Sequence, residues 1–437
     1  MTRNYQTPAT LPHQVSISTG EIAGHIREGL LAMACHVGLQ VMATLMDADV
    51  EAIAGPRGHH DPTRQAVRHG SEAGSVILGG RRVPIRRPRV RACDGTGELA
   101  IGSYQAFTST DVLSEMVLER MLAGTSTRSY PSTLEPVGHQ IDQVACSTSK
   151  STISRRLVTA TRQALEQIMS RDLHDLDLPV IMIDGIHFGE HLCLAALGID
   201  ASGTKQPLAI VEGSSENTTV ASLLLTGLRE RGLDTTAPLL VIVDGAKALS
   251  AGVTRVFDHP IIQRCQVHKL RNVTDLLPDK LRSTVAAQMQ AAYASKTIIQ
   301  AEAMLTDLAK QLDKTHPGAA ASLREGMAET LTVTRLGLDA TLARSLRSTN
   351  AIESMNSMAR DTCRNVKRWR DGDMALRWLA AALLDAQPRW RRIKGHQHLP
   401  SLRGLIAHHL GIEGYDNHQE TNPEGTPTHA GTPQNQR

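Results

Sequence analysis

Leu239-Leu240-Val241-Ile242-Val243-Asp244-Gly245 is the stretch whose reading decides the fold. Five aliphatic residues without a polar interruption suit a strand covered on both faces, because a half-exposed strand would alternate. The carboxylate after them stands at the strand's C-terminal end. Burying it unpaired is costly, so it either faces water or meets a cation. Val180-Ile181-Met182-Ile183-Asp184-Gly185 repeats the arrangement earlier in the chain. If the two strands are neighbours, Asp184 and Asp244 stand close enough to share a divalent metal.

Outward from these strands, residues 179–187, 192–200 and 206–212 are apolar runs separated by short polar turns, as consecutive antiparallel strands would be. A helix fits 220–231, the strand at 239–243 follows, and a second helix starts at Lys247. Three strands, a helix, a strand and a helix is the order of a ribonuclease H-like core, an α/β fold with a mixed sheet flanked by helices. His187-Phe188-Gly189-Glu190-His191 fits the H-x-x-E-H pattern of an inverted zinc metalloprotease. That chemistry needs both histidines on one helical turn, whereas Gly189 and the flanking strand-like runs predict a hairpin. From residue 278 to 346 the strands stop and Ala-, Leu- and Gln-rich sequence predicts an all-helical insertion. The last strong helix is expected at 349–366, with more helix from Met374.

Upstream, Ile22, Ile26, Leu30, Met33 and Val37 recur at helical spacing within 21–54. Residues 75–91 hold two short apolar runs around Gly79-Gly80, a hairpin signal. Its second strand carries Arg81, Arg82, Arg86, Arg87, Arg89 and Arg91 with no acidic residue among them, and Pro84 and Pro88 predict an edge position. Such a ribbon would suit a phosphate backbone. A helix at 110–122 ends before Gly124, a shorter one is expected within 135–145, and a third begins near Ser149. Ile153, Leu157, Ala160, Ala164 and Ile168 line one face of that third helix, with Lys150, Ser151, Ser154, Arg155 and Arg156 elsewhere. This is the shape of a helix-turn-helix, although any small helical bundle shares it. The segmentation expected is a disordered 1–20, a helical region with the basic hairpin at 21–108, the helix-turn-helix-like region at 109–172, the core at 173–277, the insertion at 278–346, the core's last part with basic helices at 347–412, and a disordered 413–437.

A chain of 437 residues, 41% of them hydrophobic, has material for several domains. No apolar run approaches the ~20 residues that cross a bilayer, and the start lacks a basic-then-apolar segment, so a cytoplasmic protein without membrane association is expected. Six scattered cysteines without paired spacing are expected to stay reduced. The net charge of +3 is small, but its distribution is uneven. Besides the arginine strand, residues 360–394 hold ten Lys and Arg against four Asp. One such run is often a solvated face; two in one chain favour nucleic acid.

A third metal-binding carboxylate should come from a helix, and Glu353 is placed for it. Ile352, Met355, Ala359, Cys363 and Val366 form one stripe, and Asn350, Glu353, Asn356 and Arg360 an adjoining polar one. A helix packed by the apolar stripe could hold Glu353 at the site, with Asn350 and Asn356 one turn either side as supporting or DNA contacts. Two Mg²⁺ ions, for which Mn²⁺ can substitute, would lie ~3.5–4 Å apart and activate a water or a 3′-hydroxyl while stabilising the leaving oxygen. Spacing alone also permits the reading of Asp184 and Asp244 as turn residues and Glu353 as a surface residue.

The segments Ile183-Asp184-Gly185-Ile186-His187-Phe188-Gly189, Val243-Asp244-Gly245-Ala246, 264–273 and Ser348-Thr349-Asn350-Ala351-Ile352-Glu353 resemble the Mutator-like transposases of bacterial insertion sequences, from about residue 70 to 394. The resemblance implies a ribonuclease H-like catalytic core with Asp184, Asp244 and Glu353 as its metal-binding triad, and an N-terminal DNA-binding region. It implies a transposase that nicks the ends of an insertion sequence and joins the 3′-hydroxyl to target DNA. Its partners would be double-stranded DNA, as terminal inverted repeats and target, and a second copy of the chain, since two ends must be brought together. A regulator that keeps the fold but not the chemistry, or a nuclease that cuts without joining, are the alternatives. Cys265 and His268 are half a zinc site by spacing and are expected to be structural or to contact DNA, and Lys269 and Arg271 beside them would suit phosphate.

Overall fold

The computed structural model describes residues 19–59, 61–213 and 217–412. The disorder expected at the two ends lies outside these residues, except that Thr19 and Gly20 already belong to the first helix. The chain divides into two compact units, Met1–Ala160 and Thr161–Arg437.

The first unit holds α1 (Thr19–Ala54), β1 (Ala66–Leu78), β2 (Arg81–Ala92), β3 (Glu98–Leu99), α2 (Gly102–Thr108), α3 (Thr110–Leu122), α4 (His139–Val144) and the start of α5 (Lys150–Met169), which crosses the division. β1 and β2 pair antiparallel through Gly79 and Gly80, both at positive φ (54° and 73°), as the two-residue turn of a right-twisted hairpin requires. Met46, Val50 and Ala54 of α1 pack on Ala66, Val90 and Ile101. The arginine strand is not at an edge. β2 is the middle strand, because β3 pairs with Val90 and Arg91 and Arg82 exchanges both backbone hydrogen bonds with Cys146. Both prolines fall between these two contacts, so their lost donors leave the pairing intact.

The second unit is a mixed sheet with helices. β4 (Val180–Phe188), β5 (His191–Ile199) and β6 (Lys205–Gly213) form an antiparallel meander; α6 (Thr218–Glu230), β7 (Leu239–Val243), α7 (Lys247–Val256), β8 (Pro260–Arg264) and α8 (Gln266–Thr274) follow. The strand order is β6-β5-β4-β7-β8, with β4, β7 and β8 parallel. Every residue of β7 is buried, as its unbroken apolar run demands. The H-x-x-E-H segment is the β4–β5 turn, with Gly189 at φ 61° and Phe188 facing His191. Leu224, Leu225 and Leu228 of α6 and Leu249 and Val253 of α7 cover Ile181, Ile183, Val241 and Val243 on one face of the sheet.

Helices α9 (Asp279–Tyr293), α10 (Ile298–Asp313), α11 (Pro317–Arg324), α12 (Met327–Thr330), α13 (Thr332–Arg335) and α14 (Ala340–Leu346) come next, and α8 to α11 share a core of Val273, Met289, Leu305, Leu308 and Leu323. Two buried glutamines fasten this segment to the sheet. Gln263 donates to Thr330 O (3.0 Å) and accepts from Val333 N (2.9 Å), and Gln266 donates to the same Thr330 O (2.8 Å). α15 (Asn350–Thr362) then packs on β4, α16 (Gly372–Ala386) on β5 and β6, and α17 (Leu402–Leu410) ends the described chain. No helix among the described residues is long and apolar enough to cross a membrane.

Candidate active site

The register of two covered strands sets the site. Ile183 pairs with Val243 in the parallel β4–β7 ladder, so Asp184 and Asp244 follow at the same end of neighbouring strands. Asp244 Oδ1 accepts the Ala246 N–H at 2.8 Å, which fixes the turn out of β7. Gly245 has φ 114°, and a Cβ there would run into the Arg264 guanidinium. The Asp-Gly pair therefore does more than turn the chain. It lets a buried arginine lie against the turn, where it donates to Glu325 O (3.2 Å) and pairs with the Glu325 carboxylate (3.6 Å).

Helix α15 buries Ile352, Met355 and Ala359 and carries Glu353 beside them. Asn356, one turn on, is also buried, and its Nδ2 donates to Asp184 Oδ2 at 2.9 Å. Burial pushes the Asp184 carboxyl up to about 6, and the charges of Glu353 and Asp244 add to that against the Asn356 hydrogen bond. Asp184 and Asp244 thus stand at one strand end, and Asn356 ties to Asp184 the helix that carries Glu353. Such a set suits a hard divalent cation, which relieves the repulsion, prefers oxygen donors and needs few of them. The Asn356 Oδ1 is buried without a hydrogen-bond partner, a further acceptor beside the cluster.

Cys265 and His268 join this site. Cys265 Sγ, buried just past the end of β8, accepts from the backbone of His268 (3.5 Å) and Thr349 (3.4 Å), tying the start of α8 to the start of α15. Thr349 Oγ1 donates to Glu353 Oε1 at 2.6 Å, and His268 Nδ1 lies 3.7 Å from the same oxygen. Hydrogen bonding to Cys265, then the charges of Cys265, Glu353 and Asp244, hold the His268 imidazole up to about 9 against the opposing effect of burial. Nothing in the spacing of the Ser348–Glu353 motif by itself assigns Thr349 this contact. A small polar residue one turn before a candidate ligand, at the cap of the ligand's helix, was the available signal.

The family described as "Transposase, Mutator family" matches residues 24–393. The chain belongs to this family. The transposase for insertion sequence element ISRM5 of Rhizobium meliloti (strain 1021) is 25% identical over 369 residues, covering 83% of this chain and 90% of that relative. The transposase for IS6120 of Mycolicibacterium smegmatis is 28% identical over 330 residues, covering 73% and 99%. The transposase for IS256 in transposon Tn4001 of Staphylococcus aureus is 25% identical over 342 residues, covering 75% and 83%.

In this Mutator-family chain the residues expected on DNA differ in how far they reach solvent. Lys150, Ser151, Ser154, Arg155, Arg86, Arg91, Arg271, Asn350 and Arg360 are exposed. Arg82 and Arg156 are half-buried; burial, then the charges of Arg82 and Arg155, lower the Arg156 pKa. Two expectations need correction. Lys269 is fully buried, with its Nζ hydrogen-bonded to Ser322 O and facing Glu325, so it cannot reach phosphate. Arg81 is buried, donating to Glu135 O (2.6 Å) and pairing with Asp142 (2.9 Å). Of the two roles expected for Asn356 it takes the supporting one: buried, it donates to Asp184 and does not face DNA. Arg87 and Arg89 keep some exposure but pair with Glu72 and Glu98.

Proposed function

We propose that the chain is a DNA transposase that binds the ends of an insertion sequence, nicks them by hydrolysis and joins the freed 3′-hydroxyl to target DNA. The observation that supports this is the placement of Asp184 and Asp244 at one end of the β4–β7 pair, with α15, the helix that carries Glu353, tied to Asp184 through Asn356, in a chain whose family is transposases. The meander, the parallel β7 and β8 and the helices on them support reading the fold as a ribonuclease H-like core, with 278–346 as its helical insertion. Asp184, Asp244 and Glu353 would hold Mg²⁺, or Mn²⁺ in its place, which when bound makes water and 3′-hydroxyls nucleophilic and stabilises a leaving oxygen. The chain's own part is positional. Asn356 orients Asp184, the Thr349 hydroxyl orients Glu353, and the turn at Ala246 orients Asp244. Each transfer exchanges one phosphodiester for another and needs no ATP.

The exposed polar and basic residues at the start of α5 support a helix-turn-helix made of α4 and α5, and two DNA ends imply at least two copies of the chain. The full chain incubated with element-end DNA and Mg²⁺ should give nicked ends and, with target DNA added, joined products. Binding without nicking would make it a regulator, and nicking without joined products a nuclease; either result overturns the proposal.

A further inference from the structure

A donor set of different chemistry adjoins the carboxylates. Cys265 follows β8 as the cap of α8, His268 lies in the first turn of α8 and Glu353 projects from α15, yet one ligand atom of each lies within 4.8 Å of the others. Thr349 Oγ1 sits among them, 3.3 Å from Cys265 Sγ, 3.4 Å from His268 Nδ1 and 2.6 Å from Glu353 Oε1, and Nδ1 is 3.7 Å from Oε1. Donors around a tetrahedral cation with bonds of ~2.0–2.3 Å are themselves ~3.3–3.8 Å apart, so three of these four separations already have that spacing. The sulfur is buried, while His268 and Glu353 keep 27% and 31% of their side-chain surface exposed, which leaves a way in.

Thiolate and imidazole are poor ligands for Mg²⁺ and good ones for Zn²⁺. We propose that Cys265, His268 and Glu353 form a site for a thiophilic divalent cation of the Zn²⁺ class, with the fourth position filled by the Thr349 hydroxyl or a water. On binding, the Sγ–H proton leaves to solvent and a metal–sulfur bond takes its place. Occupancy draws the Glu353 carboxylate away from Asp184 and Asp244, so this cation opposes Mg²⁺. That consequence rests on the catalytic reading above; the binding does not.

The test is a Co²⁺ titration of the full chain under reducing conditions, without DNA, followed by displacement with Zn²⁺. The expected result is a single equivalent with a sulfur-to-cobalt band in the near ultraviolet. Cys265→Ser should abolish the band and weaken Zn²⁺ binding at least about tenfold, and His268→Gln should keep the band and weaken binding similarly. Cys146→Ser, at an exposed cysteine elsewhere, should change neither. His268 is partly exposed, so His268→Gln keeps the test decisive if Cys265→Ser fails to fold. No sulfur band in the wild type, or an affinity indifferent to both substitutions, overturns the site and leaves Thr349 as a hydrogen-bond hub only. Zn²⁺ should suppress Mg²⁺-supported nicking at the concentrations that fill the site. Full nicking with the site filled overturns the sharing of Glu353, whereas a chain that binds Zn²⁺ through sulfur but never nicks DNA refutes the catalytic reading and leaves the site standing.

Discussion

The carboxylate end of the β4–β7 pair and the arginine strand β2 were both conspicuous in the sequence, and the structure treats them differently. Asp184 and Asp244 sit where their strands put them, because the burial of those strands fixes which residues stand at the end of the ladder. Three of the six arginines of β2, Arg81, Arg87 and Arg89, face partners the strand itself does not contain: Glu72 on β1, Glu98 on β3 and Asp142 on α4. Like charges in excess along a strand do not make a free basic surface when the neighbouring strands supply the acids. Position follows from local periodicity, whereas charge compensation is a property of the tertiary fold.

The largest effect should come from the carboxylates. Asp184→Asn, Asp244→Asn and Glu353→Gln each remove a charge while keeping the shape, and each should lower the nicking rate by about a thousandfold or more, equivalent to a barrier raised by ~4 kcal/mol. Affinity for element-end DNA should stay within a few fold. Nicking close to wild type in any one of the three would reverse the comparison, making the strand-end carboxylates the ordinary residues.

Lys269 sharpens the contrast from within the second unit. Burial, with the nearby Arg264 charge, brings its pKa down to about 8, against opposing help from Glu325 and Glu329. A lysine whose pKa is lower folded than unfolded favours the neutral form in the native state, so between pH 8 and its unfolded value near 10.4 the unfolded chain binds more protons. Stability from this group therefore rises with pH across that window, by at most on the order of 3 kcal/mol. Urea titrations of wild type and Lys269→Met at several pH values should show the rise in the wild type alone. DNA affinity at pH 7 should be the same for both; a weaker variant would return Lys269 to the surface.

How much was legible follows the same division. The meander, β7, α5, α6 and α7 were readable because each is long or unbroken in its apolar pattern. β8 was not read as a strand, since Pro260–Arg264 has only two aliphatic residues and its burial comes from the helical segment fastened to Gln263. β1 starts at Ala66, well before the apolar run expected from Ser75, because its first half alternates around Gly70, where the register shifts. The place of Glu353 beside a buried stripe was legible, and so was a supporting role for Asn356, but the contacts of Thr349 and Arg264 were not, since each depends on which elements meet. Lys269 was misjudged for the same reason. A lysine beside an arginine on an amphipathic helix looks solvated until the helices of 278–346 cover it.

The smallest effects separate two arginines of one strand. Arg81 is buried and makes two charge-assisted contacts, so Arg81→Ala should cost about 2 kcal/mol of stability in urea unfolding. Measured on folded protein, the variant should bind DNA with an unchanged dependence on salt, because the side chain had no phosphate to release. Arg91 is exposed at the far end of β2. Arg91→Ala should alter stability by less than ~0.5 kcal/mol. If Arg91 meets a phosphate, its loss should weaken binding a few fold for any DNA sequence and reduce the log–log salt slope by about 1. The opposite pattern, with Arg81 setting the salt slope and Arg91 the stability, would mean that burial does not decide which arginines of β2 reach DNA.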